Sequence, residues 1–178
     1  MKMTDLMPQE DWRELEQVIH DKFGFNACAY DKDGFTFTGY KNFCNEFCPA
    51  VKASKESLQA VCSTAHQNLA AQAKNTGKSV VGECDAGLAK ICVPIIVNQE
   101  FVGIVGGCGR LQEDSEVETF LVSKTNGHDE AKLEELAKTV SPLTPEQANE
   151  LTSFLEEKVA ALERTEDDYQ KMRMMERY

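Results

Sequence analysis

Three β-prone runs, residues 79–84, 89–97 and 101–106, follow one another with linkers of only four and three residues between them. A parallel crossover needs a dozen residues or more, so these linkers force antiparallel neighbours. Pro94 lies inside the middle run. Having no N–H to give to a ladder, it places its strand at an edge or beside a bulge. Upstream, residues 25–30 and 35–39 flank Asp31-Lys-Asp-Gly34, which reads as a hairpin. Five strands are therefore expected, and the rest of the chain must pack around them.

That remainder is helical in pattern. Residues 9–22 put Trp12, Leu15, Val18 and Ile19 at helical spacing, and Gly24 ends the run. Residues 54–75 carry Leu58, Val61, Cys62, Ala65, Leu69 and Ala73 in steps of three and four. This predicts one continuous helix with one buried stripe, closed by Gly77. Pro49 suits the first turn of a short preceding helix. Val117, Phe120 and Leu121 form one later apolar patch; Leu133, Leu136, Ala137 and Val140 form another. Thr144, Pro145 and Gln147 read as a capping box opening a final helix that runs to the C-terminus. Leu155, Leu162 and Tyr169 recur every seven residues. Lys158 and Thr165 break the companion seam, so a self-sufficient coiled coil is not supported. The expected fold class is α+β, a five-stranded antiparallel sheet flanked by helices as in PAS and GAF folds. One domain is expected over residues 1–142 and a C-terminal connector or dimerisation helix over residues 143–178.

Composition removes several function classes. With 178 residues, 42% of them hydrophobic, the chain can bury a core and is not a disordered type. No apolar run approaches the roughly 20 residues of a membrane span, and the first residues lack the apolar stretch of a signal peptide. A cytoplasmic location is expected. Nineteen Lys and Arg against 30 Asp and Glu leave a formal charge of −11. There is no basic stripe, so direct nucleic-acid binding is not expected.

Seven cysteines are unusual for such a chain: Cys28, Cys44, Cys48, Cys62, Cys84, Cys92 and Cys108. Their odd number and a reducing compartment speak against a disulfide framework. Cys44, Cys48, Cys62 and Cys84 are the candidate metal ligands. A thiolate cage draws sulfurs from separate segments, commonly two from one turn, and a three-residue gap lets Cys44 and Cys48 share a side. The competing reading is that they are ordinary buried thiols. The tight Cys spacings of zinc sites and bacterial ferredoxins are absent. Cys48-Pro-Ala-Val51 also lacks the third Cys that a radical-SAM cluster requires.

The candidate ligand-binding residues are His66, Cys92, Gly106, Gly107 and Cys108. His66 lies one helical turn after Cys62. Gly106 and Gly107 miss the phosphate-loop spacings, and instead let a guest or another backbone approach the sheet. Cys92 and Cys108 read as core or pocket-lining. No cysteine has a base and an orienting group beside it, so no catalytic residue is assigned.

Several short motifs occur in a fixed order. They are Asn42-Phe-Cys-Asn-Glu-Phe-Cys48, then Cys62, then Thr76-Gly-Lys-Ser-Val-Val-Gly-Glu-Cys-Asp-Ala-Gly-Leu88, then Val93-Pro-Ile95, then Val102-Gly-Ile-Val-Gly-Gly107. In this order, over about residues 40–110, they resemble the PocR-type sensory domain, a PAS-like ligand-binding module of bacterial regulators and signalling kinases. The resemblance puts the family's cysteines on Cys44 or Cys48, on Cys62 and on Cys84. Asp85 stands where members often carry His, and Cys108 where Gln is usual. It implies a non-catalytic sensor of small organic molecules such as diols, whose clustered cysteines invite a metal or an iron–sulfur cofactor. The expected partners are a small-molecule ligand and a signalling output domain or protein, and the terminal helix adds a second copy in a homodimer. Two other readings stay open. One is a thiol- or cluster-dependent enzyme, for which His66 near Cys62 is the visible pair. The other is an interaction module whose cysteines only pack.

Overall fold

The computed structural model describes residues 1–175. The expected run of the last helix through residues 176–178 lies outside them. The chain opens with α1 (Met3–Leu6) and α2 (Gln9–Phe23), then β1 (Asn26–Asp31) and α3 (Phe47–Lys52). A split helix follows as α4 (Lys55–Ser57), a π-helical stretch (Leu58–Ser63) and α5 (Thr64–Thr76). Strands β2 (Val80–Glu83), β3 (Ala89–Val97) and β4 (Glu100–Gln112) come next. They are followed by α6 (Thr119–Asn126), α7 (Glu130–Ala137), β5 (Pro142–Leu143) and α8 (Pro145–Met175).

The α+β architecture with a sheet flanked by helices is the one expected. The strands run in the order β1-β4-β3-β2, all antiparallel. The fifth strand is not the one expected. Residues 35–39 contribute only the bridge between Tyr30 and Thr36, and the place is taken by β5, which pairs parallel with β4. The reason is local. Asp31 Oδ1 accepts from the backbone N–H groups of Asp33 and Phe35, which curls the chain into a tight loop rather than a ladder.

The expected single helix over residues 54–75 is interrupted by its π-helical stretch. Ser54 caps the start by accepting from Ser57 N–H, and Gly77, in the left-handed conformation at φ 65°, closes the end. The wide turn between them rotates what lies upstream relative to α5. Ser57 is therefore fully buried, and Leu58, expected on the buried stripe, is exposed. The expected patch at Val117, Phe120 and Leu121 shifts similarly: Phe120 and Leu121 are exposed and Val122 is buried.

The sheet separates one large core from two smaller clusters. On one face Trp12 and Ile19 of α2 and Leu151, Leu155 and Val159 of α8 pack with Ala29, Ile91, Val93, Ile95 and Val105. The Thr144 capping box forms as expected: Thr144 Oγ1 accepts from Gln147 N–H, and Gln147 Oε1 accepts from Thr144 N–H. Arg110 holds the junction, donating to the carbonyls of Phe23 and Pro142 and to Gln147 Oε1. Beyond the other face lies a smaller core of Phe47, Val51, Val61, Leu88, Val122 and Leu133.

A carboxylate takes up a backbone N–H at each of two sheet edges, Glu16 from a buried position and Glu163 from a half-buried one. Glu16 Oε1 accepts from Ala29 N–H of β1 at 2.8 Å, and Glu163 Oε1 from Ile96 N–H of β3 at 3.1 Å. The second edge exists because β2 pairs only as far as Cys92, leaving the last part of β3 uncovered there. That is how Pro94 fits an otherwise interior strand, which also carries register shifts at Ala89/Lys90 and Ile95/Ile96. Among the described residues no helix is long and apolar enough to cross a membrane.

Candidate functional site: a cavity of thiols and ammonium groups

Strand alternation sends every second residue to one face, and pairing aligns the rungs. On the side away from α2 and α8, Asn26 of β1 lies opposite Cys108 of β4, and Cys108 opposite Lys90 of β3. The next such rung is Cys28, Gly106 and Cys92. Opposite the first rung the chain folds a lid from α3, the π-helical stretch and the turn after β2. Between lid and sheet is a cavity of about 50 Å³, whose lining includes Asn26, Cys28, Tyr30, Cys48, Lys52, Cys62, Cys84, Lys90 and Cys108.

Each lid cysteine has its own local support. Asn45 is buried; its Oδ1 accepts from Cys48 N–H at 2.7 Å, while its Nδ2 donates to Gly109 O at 2.8 Å and lies 3.4 Å from Cys48 Sγ. This fastens the first turn of α3 to β4 and aims Cys48 inward. Cys62 sits in the widened π-helical turn. Cys84 opens a tight turn in which Gly87 N–H donates to Cys84 O, with Gly87 at φ 81°. A side chain at Gly87 would strike the Glu116 carbonyl.

Of the four cysteines expected to converge, Cys48, Cys62 and Cys84 line the cavity, and Cys44 does not. The Cys44 thiol turns toward the carbonyl of Gly109, 3.4 Å away, while its N–H donates to Asn26 Oδ1. The thiols stand around a volume rather than a point: among the described residues no three His, Cys, Asp or Glu side chains are grouped to hold a metal ion. Of the residues expected at the ligand, Cys108 lines the cavity. His66 is stacked on the outer side of Tyr30, ring centroids 3.7 Å apart, and lines a separate hollow with Asp31 and Gln67. Cys92 packs with Leu69, Ala73 and Ile104. At Gly106 a side chain would meet the Ile91 carbonyl, and at Gly107 the Phe25 side chain, so close approach of the protein itself accounts for both.

Cys28, Tyr30, Lys52, Lys90 and Asn26 were not singled out in the sequence. The alternation of Asn26, Cys28 and Tyr30 on one strand was the available signal. Lys90 inside an apolar strand was another, since lysine is rarely buried without a partner.

Burial favours the protonated form at Cys28, Cys44, Cys48, Cys62 and Cys84. Burial pushes the Cys48 thiol up to about 12 and Cys62 to about 11, and raises Cys28, Cys44 and Cys84 as well. Cys92, outside the cavity, is pushed up to about 12 by burial. A thiol nucleophile needs the opposite shift. Burial, and then the Lys90 charge, lowers His66 to about 4, so it is a neutral ring rather than a base partnered with Cys62. Lys90 is only 5% exposed. Burial works against its charge, and Tyr30, Cys108 and Cys28 work for it only through the negative charge they carry when ionised.

No curated protein and no solved structure matches the chain. The family model for the sensory domain found in PocR matches residues 5–165, which takes in the cavity, the cores and more than half of α8. By that match the chain belongs to the family of sensory domains found in PocR.

Proposed function

We propose that this sensory domain reads the occupancy of the thiol and ammonium cavity and passes it to α8, without catalysing a reaction. The observation that carries the reading is the convergence of five cysteines and two lysines from six segments of chain on one small cavity. A hollow of about 50 Å³ is well below the roughly 150 Å³ that admits benzene, so a guest of a few heavy atoms suits it. The upward shift of the thiols supports a binding role over a nucleophilic one.

The route to α8 is short. Lys90 and Ile96 are on the same strand, and Ile96 N–H is held by Glu163 of α8. Beyond Glu163 the helix exposes Tyr169, Met172, Met174 and Met175, a surface suited to an output partner or a second copy. A guest shifts α8 only as far as it binds its two arrangements unequally.

The second reading, a thiolate-bound metal or iron–sulfur centre, is favoured by Cys48, Cys62 and Cys84 arriving from three separate segments. Soft sulfur donors around a volume suit a polynuclear centre, which would require those thiols to be deprotonated on binding.

Purification under oxygen-free conditions, with iron and sulfide analysis, separates the two readings. Calorimetric titration of the metal-free protein with C2 to C4 diols and carboxylates follows, comparing wild type with Cys108→Phe, which fills the cavity. Binding lost in Cys108→Phe, with altered hydrogen exchange in α8 on binding, is the expected result. Protein free of iron that binds none of these probes, or whose binding survives Cys108→Phe, overturns the sensory cavity.

A further inference from the structure

The cavity holds more positive charge than anything in its wall balances. Lys52 and Lys90 line it, and no aspartate or glutamate does. Among the described residues neither lysine takes part in an ion pair or a hydrogen bond; each lies over an aromatic ring, Lys90 Nζ 5.5 Å from the centroid of Tyr30 and Lys52 Nζ 5.3 Å from that of Phe43. Phenols and thiols are ordinarily neutral at pH 7. A charge removed from water without a counter-charge is among the most destabilising features a protein keeps, so its retention points to a partner that arrives later.

A second, independent group points the same way. Asn26 is 4% exposed and lines the cavity. Its Oδ1 accepts from Cys44 N–H at 2.7 Å, which fixes the amide's orientation. Its Nδ2 finds no oxygen or nitrogen acceptor, and only the Cys48 thiol lies beside it. Asn26 and Lys90 flank Cys108 on the two neighbouring strands. One rung of the sheet thus brings a lysine and an amide N–H₂ without an oxygen acceptor to the wall of the same small space. Both are donors, and the wall offers no carboxylate to either.

We infer that the cavity is a receptor for a compact anion, a carboxylate of two to four carbons, held by Lys90 Nζ and Asn26 Nδ2. This rests on the sensory reading and adds the charge of the guest and the two residues that select it. A neutral diol leaves the ammonium uncompensated, whereas a carboxylate supplies its counter-charge and an acceptor for the amide. The size of the hollow limits the rest of the molecule.

The experiment uses the whole chain, prepared without oxygen, in thermal melts at constant ionic strength. The probes are sodium acetate, glycolate and butyrate, with propane-1,2-diol as the neutral comparison. At least one carboxylate is expected to raise the wild-type Tm by about 4 °C at saturating concentration, with the diol giving less. Lys90→Met removes the charge at similar length; its unliganded Tm is expected to equal or exceed that of wild type, and its carboxylate response to vanish. Asn26→Asp keeps the acceptor for Cys44 N–H and places a carboxylate in the wall of the cavity that Lys90 also lines. It too is expected to raise the unliganded Tm and abolish the response.

A carboxylate shift that persists in both variants overturns the assignment, as does the absence of any carboxylate shift in wild type. A diol response retained in Lys90→Met, with none to carboxylates, sinks the anion and leaves the sensory cavity standing. Iron and sulfide retained by the wild-type protein assign the counter-charge to a thiolate cluster and overturn it equally.

Discussion

The two faces of one sheet are built from the same strands to opposite ends. Toward α2 and α8 the rungs are Ala29, Val105 and Val93, and Ala27, Gly107 and Ile91. They are covered by Trp12, Ile19, Leu151 and Leu155, each of them 0% exposed. One residue along, the rungs are Asn26, Cys108 and Lys90, and Cys28, Gly106 and Cys92. Each apolar side chain on the first face adds to stability by leaving water. On the second, a lysine with no carboxylate beside it, an amide with no oxygen acceptor and five thiols surround a gap. The difference teaches where this protein keeps its stability and where it keeps groups that stability alone would not select.

The largest test of that division is truncation. Leu155→Ala is expected to lower unfolding free energy by about 2–5 kcal/mol, read from urea denaturation, because it opens a hole in packed core. Cys62→Ala, which only enlarges an existing cavity, is expected to lower it by less than about 1 kcal/mol. Equal losses would break the comparison.

Thiol reactivity comes next. With its pKa pushed up to about 11 from an ordinary 9.0, Cys62 at pH 8 is thiolate about 100-fold less often than an ordinary cysteine. Mass-resolved iodoacetamide labelling of metal-free protein is expected to show at least that lag. Labelling of Cys62 at an ordinary rate would restore the enzyme reading.

The tie between the sheet and α8 carries a smaller effect. Glu163→Ala leaves Ile96 N–H without its acceptor and is expected to lower stability by about 1 kcal/mol, with faster hydrogen exchange at Ile96. Unchanged exchange there would remove this contact from the route to α8.

The smallest is a tilt with pH. Burial raises the Glu16 carboxyl above the ordinary 4.5, and Glu16 Oε2 has no hydrogen-bond partner among the described residues. With its pKa higher folded than unfolded, the folded state binds more protons. The contribution of Glu16 to stability is therefore full below pH 4.5 and is lost as pH rises through the raised folded value. Glu16→Gln is expected to flatten the stability profile from pH 4.5 upward; an unaltered slope would place the tilt in another group.

Much of the fold was readable in one dimension. Linkers of four and three residues compelled β2, β3 and β4 to run antiparallel, and the Thr144 capping box formed where its residues stood. The second hairpin strand was missed because Asp31 bonds its own loop more readily than residues 35–39 find a ladder. Leu58 was misplaced because a π-helical turn adds a residue without leaving a mark in the apolar spacing. At the site, Cys48 and Cys62 were legible from spacing, yet nothing nearby in sequence distinguished Cys44, which turns to the Gly109 carbonyl instead.

Family membership, strand direction and helix ends follow from short-range patterns, because turns, caps and linker lengths are decided by residues a few positions apart. Register is different. That Cys108 faces Lys90 and Asn26 at once depends on pairing between strands 18 and 82 residues distant from it, with a bulge beside Lys90 resetting the count. Only the folded sheet decides which side chains share a rung, and so only it reveals two donors facing an empty space.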